Sequence, residues 1–216
     1  MELSNKYVIT INRELGSGGR TVGEKLAAKL GVPFYDKAHI KAIEEKYGLS
    51  VDEIERLKGK KRTWWPDFKR VVELDGGFAV SIYANLPEIT VPEKPDSEKI
   101  FNAEQEILKG IADAESCVIA GRCGFYAVKE HPNHLNVLIQ APMEQRIERI
   151  MKKKGISEKE AKKIIKEVDK SRENYVSKHA GTSRYDTRNY DLVISMNGKT
   201  EDEATDLIIK YIDSSK

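Results

Sequence analysis

The sequence contains little cysteine and no long apolar run. Its 216 residues include only Cys117 and Cys123, which are too few for a disulfide framework or a cysteine-based zinc site. No run approaches the roughly 18 apolar residues of a membrane-spanning helix, and the first residues contain no apolar segment of the signal-peptide type. We therefore expect no membrane partner and a cytoplasmic location, where thiols stay reduced.

The sequence also has almost no net charge. The formal value is +2, and the four histidines share no metal-binding spacing. No general basic excess favours a nucleic-acid partner, and no acidic excess favours a basic one. The length and the 39% hydrophobic content are sufficient for one sizeable core.

The hydrophobic pattern alternates between short β-branched runs and helical periodicity. Strands are predicted at 7–11, 32–36, 116–121, 135–141 and 190–196. Helices are predicted at 20–30, 38–47, 51–58, 98–112, 143–154, 157–175 and from 200 onward. Continuous apolar strands separated by helices indicate a doubly wound α/β fold with a parallel sheet, whose ligand should bind at the carboxyl ends of the strands.

A glycine cluster lies at one such strand end, between the first predicted strand and helix. Its residues 14–21 follow the phosphate-binding pattern G-x-x-x-x-G-K-[ST], with Glu14 at the first glycine and Arg20 at the lysine. Small residues allow backbone N–H groups to surround phosphate oxygens at a helix N-terminus. Arg20 would add positive charge, and the Thr21 hydroxyl would bind Mg²⁺.

Two other interpretations of this cluster are possible. The dinucleotide pattern G-x-G-x-x-G fits at Gly16 and Gly18, and Asp36 lies near the position of the expected acid, but Thr21 replaces the third glycine. A nicotinamide-dependent enzyme is therefore the alternative. The turn could also hold no ligand.

Several arginines follow predicted strand ends or share helix positions in the second half of the chain. Arg122 directly follows a strand, Arg146 and Arg149 are three residues apart, and so are Asp169 and Arg172. Taken alone, these are typical of an exposed helix face and a local ion pair. Beside a phosphate loop, the same arginines would neutralise charge during phosphoryl transfer.

The sequence resembles the cytidylate kinase-like proteins, a branch of the P-loop nucleoside monophosphate kinases. The resemblance rests on ITINRELGSGGRTVGEKLAAKLG, FYDKAHI, CVIAGRCGFY, LIQAPMEQRIERI, VDKSRENY and NYDLVIS. It implies a three-layer P-loop kinase core (1–36, 98–151 and 183–216), a helical acceptor-binding insertion (37–97) and a helical lid (152–182). It also implies ATP-dependent transfer to a nucleoside monophosphate, with Mg²⁺ as cofactor and small nucleotides as partners.

The resemblance implies a role for each candidate residue. ATP phosphates would be bound by Gly16, Ser17, Gly18, Gly19, Arg20 and Thr21, with Thr21 also on the metal. The acceptor would be bound by Asp36, Arg122, Asp169 and Arg172. Catalytic charge would come from Arg20, Arg122, Arg146 and Arg149.

Two positions differ from the usual pattern. Cytidylate kinases usually carry lysine and an acid where this chain has Arg20 and Cys123. A kinase of another small acceptor and a non-catalytic nucleotide-binding module therefore stay open as alternatives.

Overall fold

The computed structural model describes residues 1–37 and 97–214. Its strands are β1 (Val8–Arg13), β2 (Phe34–Asp36), β3 (Cys117–Ala120), β4 (His134–Gln140) and β5 (Leu192–Ser195). Its helices are α1 (Gly19–Leu30), α2 (Ser97–Ala114), α3 (Gly124–Ala127), α4 (Met143–Lys154), α5 (Glu158–Ala180) and α6 (Glu201–Ser214), with a 3₁₀ turn at Thr187–Asn189. The predicted helices 38–47 and 51–58, and nearly all of the predicted insertion 37–97, lie outside the described residues.

The five described strands form one parallel sheet in the order β2-β3-β1-β4-β5. This confirms the predicted doubly wound fold. Strand β1 is central, with β3 on one side and β4 on the other, so the chain changes direction across the sheet at β1. The loop that leaves β1 therefore opens into the crevice where such sheets bind ligands.

Side chains of β1 alternate between two apolar layers, because successive residues of a strand point to opposite faces. Ile9 and Ile11 pack in one buried cluster with Leu26 of α1 and Ile208 of α6. Val8 packs on the opposite face in a cluster that includes Ile107, Leu108 and Ile111 of α2. With both faces covered, a ligand site is expected at an end of the sheet, and in this fold class it is the carboxyl end.

Local signals in the sequence fix most helix ends. Helix α4 has the predicted bounds and ends at Gly155, and the Ser157–Glu160 capping box opens α5. The predicted end of α5 near residue 175 was wrong: the helix continues to Ala180 and ends at Gly181, whose φ is 66°. The additional turn forms because Val176 is buried, which outweighs the polar composition of its neighbours.

Candidate functional site

The loop between β1 and α1 has the geometry of an anion cradle. Gly16 and Gly18 have φ values of 81° and 84°, and Gly18 caps α1 without a side-chain hydrogen bond. Four N–H groups of this turn have no acceptor within the described residues: those of Gly16, Gly18, Arg20 and Thr21. Open N–H groups at the positive end of a twelve-residue helix fit phosphate oxygens.

The surroundings of the loop leave no space for side chains at its glycines. A Cβ at Gly16 would lie 2.8 Å from the carbonyl oxygen of Arg146, and one at Gly19 would lie 2.6 Å from the Cβ of Arg13. Real Cβ atoms do not approach backbone this closely. The loop is therefore packed against α4 and the end of β1, which keeps its open N–H groups in place.

The side chain of Arg20 extends from the loop toward the end of β2. Its Nε donates to Asp36 Oδ2 at 2.8 Å, and its Nη1 lies 2.7 Å from Glu24 Oε1. Burial alone would lower the pKa of Arg20, but the hydrogen bond to Asp36 and the two carboxylate charges raise it. Thr21 is exposed in the first turn of α1. To contact a phosphate, Arg20 would exchange one anionic partner for another.

Arg146 is buried, with only 5% of its side chain exposed. The interpretation of Arg146 as part of an exposed helix face, which its spacing taken alone suggested, therefore does not hold for this residue. Its Nε donates to the carbonyl oxygen of Leu15 at 2.8 Å, and its Nη2 bonds Asp169 Oδ2. Asp169 Oδ1 in turn accepts the N–H of Leu15 at 3.0 Å. Helices α4 and α5 thus hold both backbone polar groups of the loop residue Leu15.

Arg149 is at the other side of the loop and forms an ion pair with Glu201 at the start of α6. Both charged groups lie against the N-cap of α1, because a Cβ on Gly18 would be 2.9 Å from Glu201 Oε1 and 3.1 Å from Arg149 Nη1. The Arg149 side chain is 42% exposed. A cation that can change partner therefore lies beside the open amides.

Arg122 follows β3 on a strained turn. Gly121, Arg122 and Cys123 have consecutive φ values of 86°, 53° and 56°, and residues other than glycine rarely adopt this conformation. The Arg122 guanidinium pairs with buried Glu104 of α2 at 2.6 Å. Tyr175 of α5 donates its hydroxyl to the same carboxylate at 2.5 Å. The turn thus directs a fixed cation toward the carboxyl edge of the sheet.

A cavity of about 470 Å³ opens at the ends of β1 and β3. Its charged lining residues are Arg13, Lys37, Arg122, Glu167 and Arg172. Arg172 donates to the carbonyl oxygen of Arg13 at 3.1 Å and lies 3.9 Å from Asp169, so the predicted local ion pair is a long one. The volume is in the range of small-ligand sites. The excess of cations among the described lining residues suits an anionic ligand.

The predicted site residues come together at this edge of the sheet. Arg122 and Arg172 line the cation-lined cavity, the glycine loop directly follows its lining residue Arg13, and Arg20 of the loop reaches Asp36 at the end of β2. Their assigned roles stay predictions, since the geometry shows placement and not activity.

Sequence reasoning missed Arg13, Glu104 and Glu201. Arg13 ends β1 in the same manner that Arg122 follows β3, so the strand-end argument applied to Arg122 would have found it. Glu104 lies three and four residues before the core positions Ile107 and Leu108, and an acid on an apolar stripe signals a buried partner. Glu201 carried no such signal, because an acid in a first helical turn is ordinary.

The parallel sheet, the glycine loop with open amides and the convergent arginines define a P-loop kinase. A model of the cytidylate kinase-like family matches residues 8–198. The chain therefore belongs to the cytidylate kinase-like family, as its motifs predicted. Family and fold make it a nucleotide-binding phosphotransferase, and they favour the kinase over the nicotinamide-dependent alternative.

Individual relatives cover nearly the whole chain. A cytidylate kinase from Methanopyrus kandleri is 24% identical, over 97% of this chain and 95% of that protein. The crystal structure of an uncharacterized protein from Eubacterium ventriosum is 27% identical with a TM-score of 0.67, covering 97% of this chain and 99% of the other. Shikimate kinase from Bacteroides thetaiotaomicron shares the fold. It is 14% identical with a TM-score of 0.50, covering 96% of this chain and 98% of the other.

No helix in residues 1–37 and 97–214 is long and apolar enough to cross a membrane.

Proposed function

We propose that this protein transfers the γ-phosphoryl group of ATP to a nucleoside monophosphate. The observation that carries the proposal is the position of two anion-binding features at one strand end. The open amides belong to the loop that directly follows β1, and Arg13 at the end of β1 lines the cavity together with Arg122 and Arg172. A kinase needs this arrangement, because it must bring two phosphate groups into line.

The loop is the donor side of this proposal. The N–H groups of residues 16–21 would bind the phosphates of ATP, and the Thr21 hydroxyl would be a ligand of Mg²⁺. Within the described residues no three or more acidic, histidine or cysteine side chains form a cluster that could hold a metal. That fits Mg²⁺, which is commonly bound by substrate phosphates, water and few protein groups. The bound metal supplies charge neutralisation between the phosphates.

The cavity is the acceptor side. Arg122, held by Glu104, would bind the acceptor phosphate, with Arg172 opposite. Asp36, at the end of β2 and almost fully buried, would orient the acceptor once Arg20 moves to the donor phosphates. The cytidylate kinase among the relatives makes CMP the first acceptor to test.

Arginines of α4 would stabilise the transferring group. Arg149 is the mobile candidate, since its exposed ion pair with Glu201 lies beside the loop amides. Arg146 keeps the loop in shape through Leu15, and its charge adds to the positive potential there. One well-placed arginine can contribute on the order of 10³–10⁵ to the rate of phosphoryl transfer.

A coupled ADP-release assay tests the proposal. ATP and Mg²⁺ are combined with CMP, dCMP, UMP, AMP, GMP or dTMP, and melting shifts with ATP and with NAD are measured on the same protein. We expect ATP to stabilise the fold and one monophosphate to give turnover. ATP stabilisation without turnover on any of the six would favour another small acceptor or a binding module. Stabilisation by NAD alone would contradict the donor assignment.

Replacing Arg20 tests the loop. Arg20→Ala should weaken ATP binding about 10-fold or more, the loss of a charge-assisted contact. Lys25→Ala is the matched control, because Lys25 lies on the same helix and pairs with Asp202 at 2.7 Å on the surface. Equal ATP affinity in the two variants would refute the assignment of Arg20.

A further inference from the structure

Arg13 differs from the arginines that the sequence singled out. Arg20, Arg122, Arg146 and Arg149 each have a carboxylate within ion-pair distance. Within the described residues, the Arg13 guanidinium has no hydrogen bond or ion pair with any carboxylate. The charge of Asp36 acts on Arg13, but this carboxylate is already bonded to Arg20.

The packing around Arg13 keeps its guanidinium at the cavity wall. A Cβ on Gly121 would overlap the Nη1 atom of Arg13, so the glycine at the end of β3 is what leaves space for it. The carbonyl oxygen of Arg13 accepts hydrogen bonds from Arg172 and from Arg184. The backbone of Arg13 is thus tied to α5 and to the segment after it, while its side chain lines the cavity.

Positive charge around Arg13 is in excess. Burial is the main factor that lowers its pKa, and the charge of Arg172 lowers it further. Arginine keeps its proton at neutral pH, so the result is an uncompensated cation rather than a neutral side chain. Within the described residues, the Nε and Nη1 atoms of the fully buried Arg184 have no hydrogen-bond acceptor, although Nη1 lies 3.7 Å from Asp169 Oδ1. The Nε atom of Arg122 also has none. An anion in the cavity would supply an acceptor to Arg122, which lines it.

We propose that Arg13 binds the phosphate dianion of the acceptor, together with Arg122 and Arg172, and thereby selects phosphorylated over unphosphorylated acceptors. The inference rests on the proposed function. A planar guanidinium can hold two phosphate oxygens at once, which gives geometric selection as well as charge. The cavity volume of about 470 Å³ leaves space for the remainder of the acceptor.

The test compares Arg13→Gln with the wild type in steady-state kinetics and in binding. The KM for the acceptor should rise about 10- to 100-fold, the loss of one charge-assisted contact. The KM for ATP and the affinity for the unphosphorylated nucleoside should stay within about twofold of the wild type, since neither contacts this group. Arg188→Gln is the control: its guanidinium is 89% exposed and pairs with Asp186 away from the cavity.

Two further variants cover the case in which Arg13→Gln does not fold. Arg13→Lys keeps the positive charge but loses the planar guanidinium that can contact two phosphate oxygens, so it should give a smaller rise in the acceptor KM. Gly121→Ala displaces the same guanidinium without removing its charge, and it should also weaken acceptor binding. An unchanged acceptor KM in these variants, or a rise confined to the KM for ATP, would overturn the proposal.

Calorimetry with inorganic phosphate, run with the loop amides already occupied by a non-hydrolysable ATP analogue, separates this inference from the proposed function. If no monophosphate is turned over, the wild type should still bind phosphate, and Arg13→Gln should bind it at least 10-fold more weakly. Phosphate binding that does not depend on Arg13 would refute the assignment even if the kinase is active.

Discussion

The buried ion pair between Glu104 and Arg122 allows a sharp test of how the site is held. Glu104 Oε1 lies 2.6 Å from Arg122 Nη1, and Oε2 accepts the Tyr175 hydroxyl at 2.5 Å. The carboxylate therefore joins α2, the end of β3 and α5. Burial raises the pKa of Tyr175, and the charge of Glu104 raises it further, so the Tyr175 hydroxyl stays a donor at neutral pH. We predict that Glu104→Gln destabilises the protein and loosens Arg122.

The expected magnitude follows from burial. Removing one partner of a buried pair costs about 3–5 kcal/mol, because the other charge is left uncompensated. The Glu104 side chain is 4% exposed and that of Arg122 is 18% exposed, so Arg122 keeps some access to water. Glutamine can still accept the Tyr175 hydroxyl. We therefore expect the lower end, about 3 kcal/mol, or a fall in Tm of about 6–12 °C for a chain of this size.

Thermal unfolding followed by circular dichroism measures this change. Glu106→Gln is the control, two residues further along the same helix. Glu106 pairs with Lys109 at 3.3 Å, and its side chain is 28% exposed. A surface pair of this kind contributes about 0–1 kcal/mol, so the control should lower Tm by about 4 °C or less. Equal losses in the two variants would refute the argument that Glu104 anchors Arg122.

Three further predictions concern the loop and its surroundings. Gly16→Ala should lower Tm and ATP affinity more than Gly31→Ala does. Both residues have positive φ, but only a Cβ at Gly16 would meet the backbone of Arg146, at 2.8 Å. Equal effects of the two variants in melting and titration would contradict the packing argument. Asp169→Asn removes one of two carboxylate partners of Arg146, which keeps Glu14 at 3.2 Å, so stability should fall by about 2 kcal/mol in urea unfolding, and no measurable loss would count against the argument. Burial raises the pKa of Cys123 to about 12, so at pH 8 only about one thiol in 10⁴ is ionised. Alkylation of Cys123 by iodoacetamide, measured by mass spectrometry, should therefore be slow. Rapid labelling would contradict this.

Much of the fold could be predicted because its signals are local. Helix α4 has its predicted bounds, since an amphipathic stretch ends at Gly155 with φ of 64°. The last helix begins after Thr200 because Thr200 and Glu203 form the expected reciprocal hydrogen bonds. Apolar runs with charged helices between them sufficed for the parallel sheet. Each of these features depends on residues within one turn or one strand.

The partners of charged residues could not be predicted, because they are set by distant parts of the chain. Spacing indicated a pair between Asp169 and Arg172, and that distance is 3.9 Å. The closer partner of Asp169 is Arg146, 23 residues away, which donates to Oδ2. The other carboxylate oxygen of Asp169, Oδ1, accepts the N–H of Leu15, 154 residues away. A strand-end rule locates cations at the edge of the sheet, but tertiary packing decides which of them is left without an acid.

The difference in exposure between the two α4 arginines, Arg146 and Arg149, indicates which one exchanges partners when nucleotide binds. Arg146 is buried, whereas Arg149 is 42% exposed and pairs with Glu201 against Gly18. An exposed pair is worth at most about 1 kcal/mol, so a phosphate at the loop can compete with Glu201 for Arg149. Glu201→Gln should therefore release Arg149 and tighten ATP binding about two- to fivefold in calorimetry. Asp202→Asn, the neighbouring acid that pairs with Lys25, should leave ATP affinity unchanged. Weaker ATP binding in Glu201→Gln would mean that the carboxylate holds Arg149 in its working position instead of restraining it.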